Sequence, residues 1–381
     1  MKAALCLFLL AFVFQTNAQQ IAGHNFRYWY DPDNTGQFDM KVVRAPDSIY
    51  AYFQVDTTIF SLDWNGATRT ARKAATLPLE RSPQTHQWPH CIPRSHKTVA
   101  AGRKTYDKRT QEVRLDFKLI EANYPADGLV WRSGKPVFDP YVPTNTEVTI
   151  TNNFGPKLKV FHYTERFPAG SPPFAEKELP VDPIMQVDSS FWITSGQPMK
   201  FRREGLYLVQ QDTNATRGVS FRVSSPSYPK MTKVEDLSTS LVFISTKEEA
   251  DRLEAAGGDK SKFDFVVLDI TRDKDRARQL IRLYFRRVEL ANIFFTSYKE
   301  GWKTDRGMIY LVFGLPDEIN KNGQFEVWTY KTLDTKFTFY KTGSVYDPDY
   351  FVLERHKKFA EAWYYTIDNW RKSQITSAVR N

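Results

Sequence analysis

Between residues 24 and 228 apolar and polar side chains alternate in short runs broken by Gly, Pro and Asn, the period-2 pattern of half-buried strands. Runs at 37–43, 48–55 and 112–119 form a first group, with Pro46-Asp47 placed to turn the first two into a hairpin. Runs at 147–151, 158–163, 190–194, 199–202, 205–210 and 219–223 have the spacing of an antiparallel sandwich. The pattern lapses over 71–105, where Pro, Arg, Lys and His accumulate; this segment reads as a long irregular surface loop.

After Ser224-Ser225-Pro226-Ser227-Tyr228-Pro229, which has linker composition, the period changes. Residues 241–245 read as a strand. Thr246-Lys247-Glu248-Glu249 reads as a helix start with a threonine cap, and Gly257-Gly258 as its end. Ala277, Ile281, Tyr284, Val288, Ala291 and Phe295 recur at spacings of four and three, the apolar face of a helix over 272–295. Six apolar residues at 308–313 read as a strand buried on both sides. Gly314 and Pro316 turn the chain, and Asn322-Gly323 precedes a strand in which Trp328 and Tyr330 share a face. Phe337 and Phe339 share one in the next strand, and Phe359, Trp363, Ile367 and Trp370 mark a closing amphipathic helix. The pattern predicts a β-rich multidomain chain with two antiparallel β-sandwich-like modules, over 19–123 and 124–229, followed by an α+β domain over 230–381.

The N-terminus adds an address. Met1-Lys2, an apolar core over 3–14 and the small-residue site Thr16-Asn17-Ala18 predict a secretory signal peptide over 1–18, with the mature chain starting at Gln19. Cys6 lies inside the apolar core, which argues against a lipid anchor there, and Cys91 alone cannot form an internal disulfide. The formal charge of +9 and an aromatic content of 15% suit contact with acidic envelope glycans or lipid headgroups. No dense basic cluster points to nucleic acid.

Candidate chemistry concentrates in Gly301-Trp302-Lys303-Thr304-Asp305-Arg306-Gly307. One reading is a binding surface, with Trp302 exposed beside Arg306 and Asp305 fixing the backbone; Thr304, Trp328 and Tyr330 belong to the same candidate set. The other is structural: Gly301, Gly307, Gly314 and Pro316 make turns, Thr304 or Asp305 caps backbone amides, and Trp302 lies in the core. Asp317 and Glu318 are adjacent carboxylates, but glycoside hydrolysis needs carboxyl groups roughly 5–9 Å apart across a sugar, and neighbours in a turn point apart. His86, His90, Cys91 and His96 are competent zinc ligands in an H-x3-H-C-x4-H order. Pro89 and Pro93 interrupt them and the spacing fits no standard site, so neither a metal nor a cofactor is expected.

From the linker onward the chain resembles the GWxTD-domain family of secreted proteins, found chiefly in Bacteroidota. The resemblance rests on Tyr284-Phe285-Arg286-Arg287-Val288, Ala291-Asn292, the motif at 301–307, Ile309-Tyr310, Phe313-Gly314-Leu315-Pro316-Asp317-Glu318 and Trp328-Thr329-Tyr330. Leu315 departs from the second proline that related sequences often carry. Gly314-x-Pro316 and Trp328-x-Tyr330 are also loosely similar to small outer-membrane lipoproteins that assist β-barrel assembly. The resemblance implies an envelope protein with β-rich N-terminal modules and no established catalytic residues. The expected function is therefore a non-enzymatic scaffold or adaptor, periplasmic or outer-membrane-associated, whose partners are envelope proteins of an assembly or secretion complex. A glycan- or peptidoglycan-binding module and a metal-dependent hydrolase using the histidine cluster are the alternatives.

Overall fold

The computed structural model describes residues 24–34, 38–55, 89–93, 98–107, 112–121, 123–164, 166–176 and 185–375. The expected signal peptide, His86 and His96 lie outside them. The chain is β-rich, with several antiparallel sheets and a helical C-terminal region.

The first strands are β1 (Phe38–Arg44), β2 (Ser48–Val55) and β3 (Pro89–Pro93), in the order β1-β2-β3, and the paired strands β4 (Thr98–Asp107) and β5 (Glu112–Glu121). As expected, Pro46-Asp47 turns β1 into β2, closed by Ala45 N–H donating to the Ser48 carbonyl at 2.8 Å. The irregular loop expected over 71–105 is corrected where it is described, because 89–93 and 98–105 are strand. His90 and Cys91 are therefore paired backbone positions opposite Ala51 and Tyr50. The prolines that suggested a loop sit at the two ends of β3, an edge strand, where a missing N–H is tolerated.

Next come β6 (Gly128–Arg132), β7 (Lys135–Pro136), β8 (Tyr141–Pro143), β9 (Glu147–Asn152), β10 (Lys157–Tyr163), β11 (Ser189–Thr194), β12 (Pro198–Lys200), β13 (Gly205–Gln210) and β14 (Val219–Ser224). They form a five-stranded sheet, β11-β10-β13-β14-β8, and a four-stranded sheet, β12-β9-β6-β7. Only the β8–β14 pair is parallel among these described pairings. Inward residues of both sheets, among them Val130, Ile150, Val160, Val209 and Phe221, share one hydrophobic cluster.

The C-terminal region holds α1 (Val234–Ser240), α2 (Lys247–Ala256), α3 (Lys260–Thr271), α4 (Lys274–Phe295) and α5 (Asp305–Phe313). The sheet β15 (Glu318–Lys321), β16 (Phe325–Tyr330), β17 (Thr335–Lys341) and β18 (Phe351–Leu353) follows, in that order, and then α6 (Ala360–Arg371). The cap at Thr246 is a full capping box with Glu249. Two expected strands are corrected. Residues 241–243 make a 3-10 turn, with Ser245 Oγ returning to the Leu241 carbonyl at 2.9 Å. Residues 308–313 belong to α5: Thr304 caps its start, Gly314 (φ +86°) ends it, and its apolar residues are buried around almost the whole circumference. An unbroken apolar run fits a fully buried helix as well as a buried strand, and the cap decides.

One feature had no sequence signal. Residues 24–34 cross to the C-terminal region, where Phe26 (0% exposed) and Tyr30 join its core. Phe26 N–H donates to the Ile319 carbonyl at 2.8 Å, and Asn25 Oδ1 accepts from Ile319 N–H at 3.0 Å, so this strap covers the open edge of β15. Tyr310 O–H donates to the Tyr30 carbonyl at 3.0 Å and fixes the strap against α5.

Candidate functional site

The motif turn is built from close backbone approaches. Gly301 lies against α4: a Cβ there would fall 2.1 Å from the Ala291 carbonyl oxygen. Asn292, buried beside it, accepts from Trp302 N–H at 3.2 Å and donates to the Pro229 carbonyl at 2.9 Å, tying the linker to the motif. Thr304 Oγ1 donates to the Gly301 carbonyl at 2.7 Å and accepts from Gly307 N–H at 3.0 Å, the N-cap of α5. Thr304→Ala is therefore expected to lower stability by about 1 kcal/mol, read as a shift in the urea midpoint of the purified chain.

The exposed-aromatic reading of Trp302 is corrected, because the indole is 2% exposed and packs edge-on against Phe243 with centroids 5.9 Å apart. Trp302 sits in the 3-10 turn 301–303, which Gly301 brings against α4, and its indole turns inward. Asp305 is also buried. Its carboxylate accepts from Leu353 N–H at 2.8 Å and takes Arg355 on both oxygens, at 2.7 and 3.2 Å. Trp328 and Tyr330 point into the same core, and Tyr330 O–H donates to the Gly314 carbonyl at 2.7 Å.

Arg306 leaves the motif in a different direction, toward Glu326. Glu326 Oε1 accepts from Arg306 Nη1 at 3.0 Å and from Lys321 Nζ at 2.7 Å. Oε2 accepts from Trp328 Nε1 at 3.1 Å. Tyr30 O–H donates to the carboxylate at 3.0 Å and accepts from both Arg306 and Lys321 at 3.1 Å. Burial pushes the Glu326 carboxyl up, but the Lys321 and Arg306 charges outweigh it and hold it at about 2. Two cations, one carboxylate and one phenol thus clasp the strap, α5, β15 and β16 together.

A second chain of charges adjoins the first. Asp349 accepts from Lys341 at 2.9 Å and from Lys118 of β5, and Tyr124 O–H reaches the same carboxylate at 3.3 Å. Burial raises the Asp349 carboxyl, yet Lys118 and Lys341 overcome it and hold it below the usual carboxylate range. Between the two chains opens a cavity of about 550 Å³, walled by the strap, β1, β5, α4 and the C-terminal sheet.

The decisive comparison concerns the region carrying this geometry: residues 205–372 match the family model described as the GWxTD domain. The chain carries a GWxTD domain. No curated protein and no solved structure matches it. The GWxTD match begins at Gly205, ahead of the linker, and so takes in β13 and β14. The structure supplies a physical link across that boundary, because Arg222 of β14 donates to the Tyr298 carbonyl at 2.8 Å and pairs with Glu300 at 3.1 Å, just before the motif.

Sequence reading brought Trp302, Thr304, Asp305 and Arg306 to one turn of the GWxTD domain, and the structure keeps them there while sending only Arg306 toward the cavity. It missed Glu326, Lys321, Asp349, Lys118 and Tyr30. A signal for two of them existed: Glu326 shares strand parity with Trp328 and Tyr330, and Lys321 shares it with Ile319, so each is a charge on a buried face. Asp317 and Glu318 do not converge on a substrate; both turn to Lys331, one to its N–H at 2.7 Å and the other to its ammonium at 2.6 Å. Among the described residues no group of His, Cys, Asp and Glu is arranged to hold a metal.

Proposed function

We propose that this chain is a scaffold or adaptor of a cell envelope, in which a sandwich-like β module held against a GWxTD domain presents an edge strand to a partner protein. The observation that carries this reading is β11. Among the described residues it ends the five-stranded sheet, and Phe191 and Trp192, on opposite faces of the strand, are 38% and 52% exposed. Exposed aromatics are frequent interface hot spots, and an edge strand offers backbone groups to an extended segment. The Lys157 and Lys159 ammoniums lie 4.6 and 5.1 Å from the Trp192 ring centroid, which favours a partner segment bearing carboxylates. The signal-peptide pattern supports the envelope address, and no described helix is long and apolar enough to cross a membrane.

The charged groups beside the motif support a structural role, since Arg306 and Lys321 share the Glu326 carboxylate and Arg355 holds Asp305. The test is affinity purification of the tagged chain after in-cell cross-linking, wild type against Trp192→Ser. A discrete envelope protein captured by the wild type and lost in an equally stable Trp192→Ser variant is the expected result. An identical captured set from both chains removes β11 as the docking edge.

A further inference from the structure

We propose that the cavity beside the motif is a binding site for a neutral polyhydroxylated ligand, a pyranose unit of a glycan. Its volume of about 550 Å³ falls within the range of roughly 300–1,000 Å³ typical of small-ligand sites, and it lies where several elements meet, as such sites commonly do. This site is separate from β11 and stands independently of docking there.

Charge balance selects the ligand class. Arg306, Lys321, Lys118 and Lys341 face the cavity, and so do Asp31, Asp39, Glu326 and Asp349. The fifth cation of the wall, Arg286, is paired with Glu289 at 3.0 Å. With Arg286 offset by Glu289, the four other cations stand against four carboxylates, a balance that selects neither a free anion nor a free cation. A purely apolar ligand would strip water from these groups without replacing it.

Sugar hydroxyls meet both demands. Each can donate to a carboxylate while accepting from an ammonium or guanidinium, and the wall sets such groups side by side. The most accessible example is Asp349, whose side chain is 35% exposed between Lys118 and Lys341, each 17% exposed. Rings complete the wall. Lys321 lies 3.6 Å from the Trp29 ring centroid and Arg306 4.4 Å from that of Phe351, so apolar and polar surfaces are continuous, as the C–H and O–H faces of a pyranose require.

The test is saturation-transfer-difference NMR on the full mature chain with five separate probes: glucose, galactose, mannose, N-acetylglucosamine and glucuronic acid. Saturation of at least one neutral sugar is expected, with the signal reduced at least tenfold in Asp349→Asn and in Lys341→Gln. Lys341→Gln leaves Asp349 paired with Lys118, so it keeps the test valid if the aspartate variant fails to fold. Three results would overturn the proposal: no transfer to any probe, transfer undiminished in the folded variants, or transfer to glucuronic acid alone.

Discussion

Glu326→Ala is expected to destabilise the chain by about 3–5 kcal/mol, the cost of removing one partner from a buried ion pair and leaving the other uncompensated. Here two cations, Arg306 and Lys321, lose their shared carboxylate, and Tyr30 and Trp328 lose an acceptor. Glu326→Gln keeps the shape and an acceptor oxygen while removing the charge, so it should fall between wild type and alanine. Urea titration followed by tryptophan fluorescence reads both. The same clasp fixes a pH dependence. The Glu326 carboxyl lies lower when folded, at about 2, than its ordinary 4.5. Its contribution is therefore fully present above pH 4.5 and lost as pH falls toward 2. The wild type should weaken across that window more steeply than Glu326→Gln, and parallel acid titrations of the two would refute the clasp.

Gly307→Ala should be the most damaging single methyl in the chain's motif. The added carbon would lie 1.8 Å from the Gly301 carbonyl oxygen and 2.7 Å from its carbonyl carbon, and both are backbone atoms. Overpacking usually costs about 1–3 kcal/mol, more where neighbours cannot move, so a loss of about 3 kcal/mol or more is expected. Gly155→Ala is the control, because its new carbon meets only the flexible Gln211 side chain at 3.2 Å and should change stability by less than about 0.5 kcal/mol. A thermal melt of Gly307→Ala that overlays the control would show that the turn relaxes freely.

These expectations show why the motif was half legible from sequence. Glycine, threonine and aspartate name a tight capped turn, and Thr304 fulfils that reading. What periodicity could not give was the direction of Trp302, which depends on α4 approaching within contact of Gly301. The six-residue apolar run after the motif misled for a related reason: burial on all sides removes the contrast from which period is read. In α3, by contrast, Phe263, Val266, Val267 and Ile270 recur at helical spacing behind an Asp259 cap, a signal present in the sequence and not taken up. The charged cavity lay beyond such reasoning, since Lys118, Arg306, Glu326 and Asp349 come from different elements and meet only through the tertiary fold.

The strap carries a consequence for the order of events in biosynthesis. Tyr30 and Glu326 are 296 residues apart, so Tyr30 is made long before the carboxylate that it joins. Until then Phe26 and Tyr30 present aromatic surface, and the core of the GWxTD domain lacks a wall. Such non-local closure is slow compared with local contacts, and it ties completion of this core to a segment far away in sequence. A chain cut inside the strap would leave the β15 edge and this face of the core without their cover.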